Sequence, residues 1–471
     1  MRTSIGLVSM AVTAVLLAGC GSDEQQAFDR SLRQYATSQP VGQSIRPRSQ
    51  ASTAEALEVA DLAIPAGAGS EDYVRIALER SPSLRAACYK VERLRQRIPQ
   101  ETSLPDPTME IDPYVLNTGD VNTSKVVALV RQTLPLPEKL KTRGRIAEQE
   151  LAAAMDDLGT ARLTVIGDAR RAYWSYYIAT QAVELTQRSR ARLTEFQQAA
   201  EAQYRSGSGS QQAVLKASVE LGLLGNSLAD WQQRHRSAEA MLNSLMDRRI
   251  DAPLPAPRVT ELATLTLQLE RLLEQAVRKN PELSAVRKRI EGERQRLRLA
   301  NLNRWPDMTV GFNYEFDQGH GISNTNQFGP SISFNIPIWF ARLNAAEAEA
   351  HNGILENIAM LTDANNRLAF RVQDALVKVE TQQRIAMLFH KVIVPQAQQS
   401  LDASMTSYRA GGVDFSAIID TWRKRLDYEL MYYQSLAQFE QNLADLQQAV
   451  GADLPRQTTQ PASEPTSAMA E

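Results

Sequence analysis

Few residues in this chain have the types and spacing for chemistry. Four histidines (His235, His320, His351, His390) and two cysteines (Cys20, Cys88) are scattered without metal-ligand spacing. No nucleophile stands in a motif with a base, and no glycine-rich phosphate loop is present. His320 reads as a solvated loop residue and Cys88 as a small packing residue. No metal, no cofactor and no enzymatic activity are expected. Two glycine breaks, Tyr204-Arg205-Ser206-Gly207 and Tyr408-Arg409-Ala410-Gly411-Gly412, repeat an aromatic, a cation and a glycine. Glycine permits the left-handed backbone that ends a helix, so both read as helical hairpin turns. Asp420 lies nine residues beyond Gly411, about two and a half turns into the returning helix. Lys216 holds the corresponding place in the first half of the chain, where it faces solvent or pairs with a neighbouring acid. Tyr173-Trp174-Ser175-Tyr176-Tyr177 reads as packing between helices.

The N-terminus is an address. Arg2 precedes an apolar run over residues 5–17, the length of a signal-peptide core and too short for a comfortable span. It ends in Leu17-Ala18-Gly19-Cys20, which resembles the bacterial lipoprotein box. The resemblance implies cleavage before Cys20 and acylation of that residue. Several acyl chains anchor more firmly than one. Gly21-Ser22 follow in place of an aspartate, which by the same analogy favours the outer membrane.

The chain has 471 residues and a net charge of −2. Its mean hydropathy of −0.34 excludes a polytopic helical membrane protein. The balanced charge argues against a nucleic-acid partner. Residues 21–70 read as a polar tether and residues 452–471 as a disordered tail.

Between these ends the chain repeats itself. Ala77-Leu78-Glu79-Arg80-Ser81-Pro82-Ser83-Leu84 matches Ala276-Val277-Arg278-Lys279-Asn280-Pro281-Glu282-Leu283 at an offset of 199. Leu104-Pro105-Asp106 matches Trp305-Pro306-Asp307 at 201, and Leu134-Pro135-Leu136-Pro137 matches Ile336-Pro337-Ile338-Trp339 at 202. The glycine breaks match at 204. Two copies, residues 71–260 and 261–451, therefore share one internal order: a helix (about 71–100 and 262–302), alternating residues, a very long helical stretch, a glycine break and a returning helix. Residues 138–204 contain no proline and could reach roughly 100 Å as one helix. Such a helix must pack against other long helices. In the second copy Pro395 should kink or split it.

The alternating residues predict strands at about 107–116, 124–135, 307–317 and 327–337. Met308, Val310, Phe312, Tyr314 and Phe316 alternate with polar residues, as Ile332, Phe334 and Ile336 do. Loops are expected at 117–123 and 318–326. Each strand has the length of a tilted transmembrane strand. Four strands cannot close a barrel, and open edges are not viable in lipid, so other chains must complete it. Three copies give twelve strands.

With these landmarks the chain resembles the TolC family of outer-membrane efflux proteins over about residues 71–450. The resemblance rests on the duplicated Ser/Asn-Pro-x-Leu segments, on Pro-Asp before each first strand, and on Gln132-Thr133-Leu134-Pro135-Leu136-Pro137-Glu138-Lys139-Leu140. It implies a mixed, mostly α fold with four transmembrane strands per chain, a homotrimer with a twelve-stranded barrel, and a long helical tunnel across the periplasm. It implies partners as well: a periplasmic adaptor protein and an inner-membrane pump of the resistance-nodulation-division type. The expected location is the outer membrane of a Gram-negative bacterium. The resemblance further implies that Tyr204, Arg205, Gly207, Tyr408, Arg409, Gly411 and Gly412 form adaptor-docking tips. Asp420 would line the closed periplasmic end as a gate, where a ring of carboxylates would attract cations. A second family aspartate three residues earlier is Ala417 here. The exported compound is not legible. The competing reading is a periplasmic lipoprotein scaffold of long helices without a pore.

Overall fold

The computed structural model describes residues 64–454, apart from 119–120, 208, 259–261, 263–264, 266, 320–324 and 411. Cys20, His320 and Gly411 lie outside the described residues. The first copy comprises α1 (Ser70–Arg80), α2 (Pro82–Arg95), α3 (Arg97–Thr102), β1 (Thr108–Thr118), β2 (Val121–Leu134), α4 (Pro137–Arg205) and α5 (Gln211–Leu245). The second comprises α6 (Leu269–Lys279), α7 (Pro281–Leu302), β3 (Met308–Gly319), β4 (Thr325–Phe334), α8 (Phe340–Leu388), a π turn (Phe389–Ile393), α9 (Val394–Arg409) and α10 (Phe415–Val450).

The opening helix of each copy is not continuous. Ser81-Pro82 splits the first and Asn280-Pro281 the second, with proline at the first helical position. There its missing N–H costs nothing, and the preceding residue is held in extended backbone. The Asn280 side chain accepts from Glu282 N–H at 2.9 Å, capping α7. The repeated Ser/Asn-Pro motif is therefore a helix break. The second copy's opening helix starts at Leu269, seven residues later than its expected start near 262.

The long helix α4 runs unbroken for 69 residues. Alanine and glycine line its buried side, among them Ala147, Ala153, Gly167, Ala169 and Ala182, so neighbouring helices approach closely. In the second copy, Pro395 is absorbed without a break. The ring of Pro395 removes one hydrogen bond and crowds the preceding turn, and the chain widens there: Val394 N–H donates to Phe389 O, a five-residue step.

Three apolar clusters tie the copies together. The first joins α1, α4, α5 and α10 through Tyr73, Tyr173, Trp174, Tyr177, Leu242 and Leu436. The aromatic run of α4 is thus interhelical packing. Burial pushes the Tyr173 and Tyr176 phenols up to about 12. The second cluster joins α6, α7, α8 and α10 around Leu368, Val372 and Phe439. The third joins α4, α5, α9 and α10 near the glycine breaks, around Leu193, Ile419 and Trp422. Arg170, almost fully buried, gathers Glu71, Gln447 and Asp453, the last within the segment expected as tail; within the segment expected as tether, Ala68 is buried and its carbonyl accepts from the Tyr173 hydroxyl at 3.4 Å. Cys88 is exposed on α2 rather than packed, because α2 buries only Val91.

The four strands form one antiparallel sheet in the order β1-β2-β3-β4. The central pairing, β2 with β3, joins the two copies. The first hairpin is tighter than the expected loop, with Thr118 directly opposite Val121. β4 ends at Phe334, three residues short of the expected end. Among the described residues no helix is long and apolar enough to cross a membrane.

Candidate functional site

The register divides the sheet into two chemically distinct faces. Met109 lies opposite Val130, Val130 opposite Phe312, and Phe312 opposite Pro330. Ile111, Ala128, Tyr314 and Phe328 form the next row on that face. These apolar residues are exposed: Phe328 is 75% and Ile332 65% accessible. Phe312 and Phe328 stack at 6.2 Å between centroids. On the opposite face, Arg131 pairs with Glu110 at 3.0 Å and Lys125 with Glu315. Thr133 and Thr309 hydroxyls lie 3.3 Å apart. β2 reads as continuously apolar because Val127 and Leu129 fall on this second face between its charged pairs. One face is apolar along these rows and the other carries the ion pairs and hydroxyls, the division that a strand between lipid and water requires.

At the foot of the sheet the two copies are locked by a buried charge. Lys139, in the first turn of α4, is 2% exposed. Its ammonium donates to Asp307 Oδ1 at 2.7 Å and to the Trp305 carbonyl at 2.8 Å. The Leu136 N–H donates to the same carboxylate oxygen at 3.2 Å. A lysine at this burial requires such a partner. Sequence reasoning did not find this joint. Its signal was present, because Lys139 and Asp307 both sit inside the repeated landmarks.

The other end of α4 carries the glycine breaks. Gly207 has φ +78°, and its N–H donates to Tyr204 O at 3.0 Å. Ser210 and Asp414 cap the returning helices α5 and α10 through Ala213 and Ala417 N–H. The Tyr408 hydroxyl donates to Gln203 Oε1 at 2.6 Å and its ring meets Phe415 at 6.0 Å, so the two breaks lie side by side. Tyr204, Arg205, Arg409 and Gly412 are exposed there.

Asp420 on α10 pairs with Lys216 on α5 at 2.8 Å. Lys216 also donates to the Ser416 carbonyl at 3.3 Å. The two positions that correspond by duplication therefore meet each other. Asp420 remains 61% exposed by its side chain, so its charge is compensated but accessible. Among the described residues there is no group of three or more His, Cys, Asp and Glu able to hold a metal ion.

Residues 73–247 match the family model described as outer membrane efflux protein. The chain is similar in fold to the outer membrane protein VceC of Vibrio cholerae, with a TM-score of 0.68 at 17% identity over 82% of this chain and 96% of that one. It is similar also to the MtrE outer membrane channel of Neisseria gonorrhoeae in its open state (TM-score 0.67, 19% identity, 81% and 89% covered). A third likeness is to the CmeC outer membrane channel of Campylobacter jejuni (TM-score 0.64, 14% identity, 81% and 85% covered). At these identities the likeness is one of fold. No curated protein sequence matches the chain significantly.

Proposed function

We propose that this chain, whose residues 73–247 match the outer membrane efflux protein family, is one subunit of a passive trimeric duct that carries small molecules or metal cations out of the periplasm. The observation that carries the reading is the two-faced sheet. Its exposed apolar face backs onto a face of ion pairs and hydroxyls, and each outer strand is paired on one edge only. Four strands with two open edges are unstable in lipid, and three copies close a twelve-stranded ring without edges. The long helices then extend as a periplasmic tunnel, with Cys20 acylated in the outer membrane.

The tips formed by Tyr204, Arg205, Gly207, Tyr408, Arg409, Gly411 and Gly412 dock a periplasmic adaptor, which links the duct to an inner-membrane pump. Support for this role is the position of the described tip residues at the far end of α4 from the sheet and the exposed side chains of Tyr204, Arg205 and Arg409. Asp420 contributes to a gate at the same end. Its carboxylate and the Lys216 ammonium together span α5 and α10, the returning helices of the two copies.

The decisive experiment is single-channel recording in planar bilayers with the detergent-extracted protein. Discrete conductance from a species that migrates as a heat-sensitive trimer is expected. A chain giving neither conductance nor trimers would be the lipoprotein scaffold instead.

A further inference from the structure

The duplication allows one joint in the chain to specify another. Inside the chain, the exit of the first copy (residues 134–139) docks on the entry of the second (residues 305–307). Leu134 lies opposite Met308, Leu136 N–H bonds Asp307, and Lys139 is buried against Asp307 and Trp305. The second copy has the same exit, residues 336–341, and the first copy has the same entry, residues 104–106. Within one chain these two segments do not meet, because they lie at opposite edges of the sheet.

Both segments carry the marks of a surface made to be covered. Pro135 and Lys139 are buried in the internal joint, whereas their counterparts Pro337 and Ala341 are not, and Ile336 is 76% exposed where its counterpart Leu134 is half-buried. In the entry segment Asp106 is exposed, whereas its counterpart Asp307 is half-buried. β2 continues to Leu134, paired with Met308, but β4 stops at Phe334, two residues short of the corresponding Ile336. The charge pattern also changes. Asp106 corresponds to Asp307, but the counterpart of Lys139 is Ala341. Arg342, the next residue along the first turn of α8, is exposed. Among the described residues neither Asp106 nor Arg342 has an ion-pair partner within the chain.

We propose that the foot of β4 and the first turn of α8 form a seam with the entry segment and β1 of a second copy of this chain, with Arg342 taking the partner's Asp106. The proposal rests on the trimer reading above and adds its register. Carrying the offsets 202 and 201 onto the β2–β3 pairing sets Ile336 opposite the partner's Pro107, Phe334 opposite the partner's Met109, and Ile332 opposite the partner's Ile111. This register keeps the apolar face continuous across the seam, since Phe334, Ile332, Met109 and Ile111 all belong to it. A slip of one residue would set apolar side chains beside charged ones. The same register sets Pro330 opposite the partner's Pro113. The two residues that cannot donate to the ladder then coincide at one rung rather than weakening two.

The test uses cysteine pairs in the full chain with Cys88→Ser. Opposed residues on neighbouring strands have Cβ atoms about 4.5–5.5 Å apart, close enough for a disulfide after small adjustment. Met109→Cys with Phe334→Cys is expected to give linked dimers and trimers on non-reducing gels after mild oxidation. Their yield should exceed by several-fold that of either single-cysteine chain and of Met109→Cys with Ser333→Cys, whose thiols lie on opposite faces. Trimers that form normally but link no better than these controls would overturn the seam. So would preferential linkage of Met109→Cys with Ile332→Cys, which reports another register. Absence of trimers in the unaltered chain, measured by light scattering in detergent, would instead overturn the trimer reading and the seam with it. A charge exchange tests the ion pair. Asp106→Arg and Arg342→Asp should each reduce heat-resistant trimer several-fold, and the double variant should restore it. Singles without effect, or a double variant that stays weak, would remove Arg342 as the partner of Asp106.

Discussion

At the scale of single residues the chain separates two uses of a lysine–carboxylate contact. Lys139 is buried against Asp307, and losing that carboxylate would leave an uncompensated ammonium with almost no solvent contact. In the Lys216–Asp420 pair the carboxylate is 61% exposed, and such a solvent-accessible pair is worth only about 0–1 kcal/mol. The first suits a permanent joint and the second suits a contact that must open. Asp420→Ala and Lys216→Ala should each raise conductance or the open fraction, by up to about five-fold for a contact of that strength. The double variant should exceed neither single by much, because both remove the same contact. Unchanged conductance and unchanged divalent block in bilayer recordings would take Asp420 out of the gate.

At the scale of elements, the ends of the helices are fixed by backbone chemistry that can be tested by one methyl group. Gly207 and Gly451 both have positive φ, +78° and +75°. A Cβ at Gly207 meets nothing within 4 Å, whereas one at Gly451 lies 3.2 Å from the Lys279 carbonyl oxygen. Gly207→Ala should therefore cost only the left-handed backbone penalty of about 1–2 kcal/mol. Gly451→Ala should cost more, read as a larger fall in the thermal midpoint under the same conditions. Equal falls would mean that the contact with Lys279 is not tight in solution. The elements also show what the sequence made legible. The strands, the long helices and the glycine breaks were readable because period, proline and glycine act locally. The split of the opening helices was missed, although Ser81-Pro82 and Asn280-Pro281 were recognised as a repeat: proline at a first helical position ends one helix and starts another. Pro395 predicts a kink or a split, whereas a wider turn accommodates it within a continuous rod. Of the candidate site, Asp420 and Lys216 were named separately. Their meeting depends on the packing of α5 against α10, which no single segment encodes.

At the scale of the whole molecule, the proposed membrane location rests on the two-faced sheet. Phe328→Arg would place a cation on the apolar face, at a cost of about 2–4 kcal/mol if that position lies near the bilayer midplane. This variant should lose heat-modifiable trimer from the outer-membrane fraction, whereas Gln327→Arg, on the opposite face, should retain it. Equal retention of both would count against lipid contact at this face. The two rods attached to the sheet differ in one respect with a mechanical consequence. α4 is a single helix of 69 residues, while its counterpart continues through a π turn at Phe389–Ile393. A helix with regular bonding resists bending along its whole length, and a widened turn concentrates compliance at one point. Force applied at the hairpin ends is thus transmitted by the first rod as by a strut and absorbed by the second as by a flexure. Three chains around an axis would alternate struts with flexures, giving a tube that keeps its length while its far end changes bore. Distances between paired spin labels spanning residue 391 should accordingly be more broadly distributed than those spanning residue 189 of α4, and equal widths would leave the tube without its flexures.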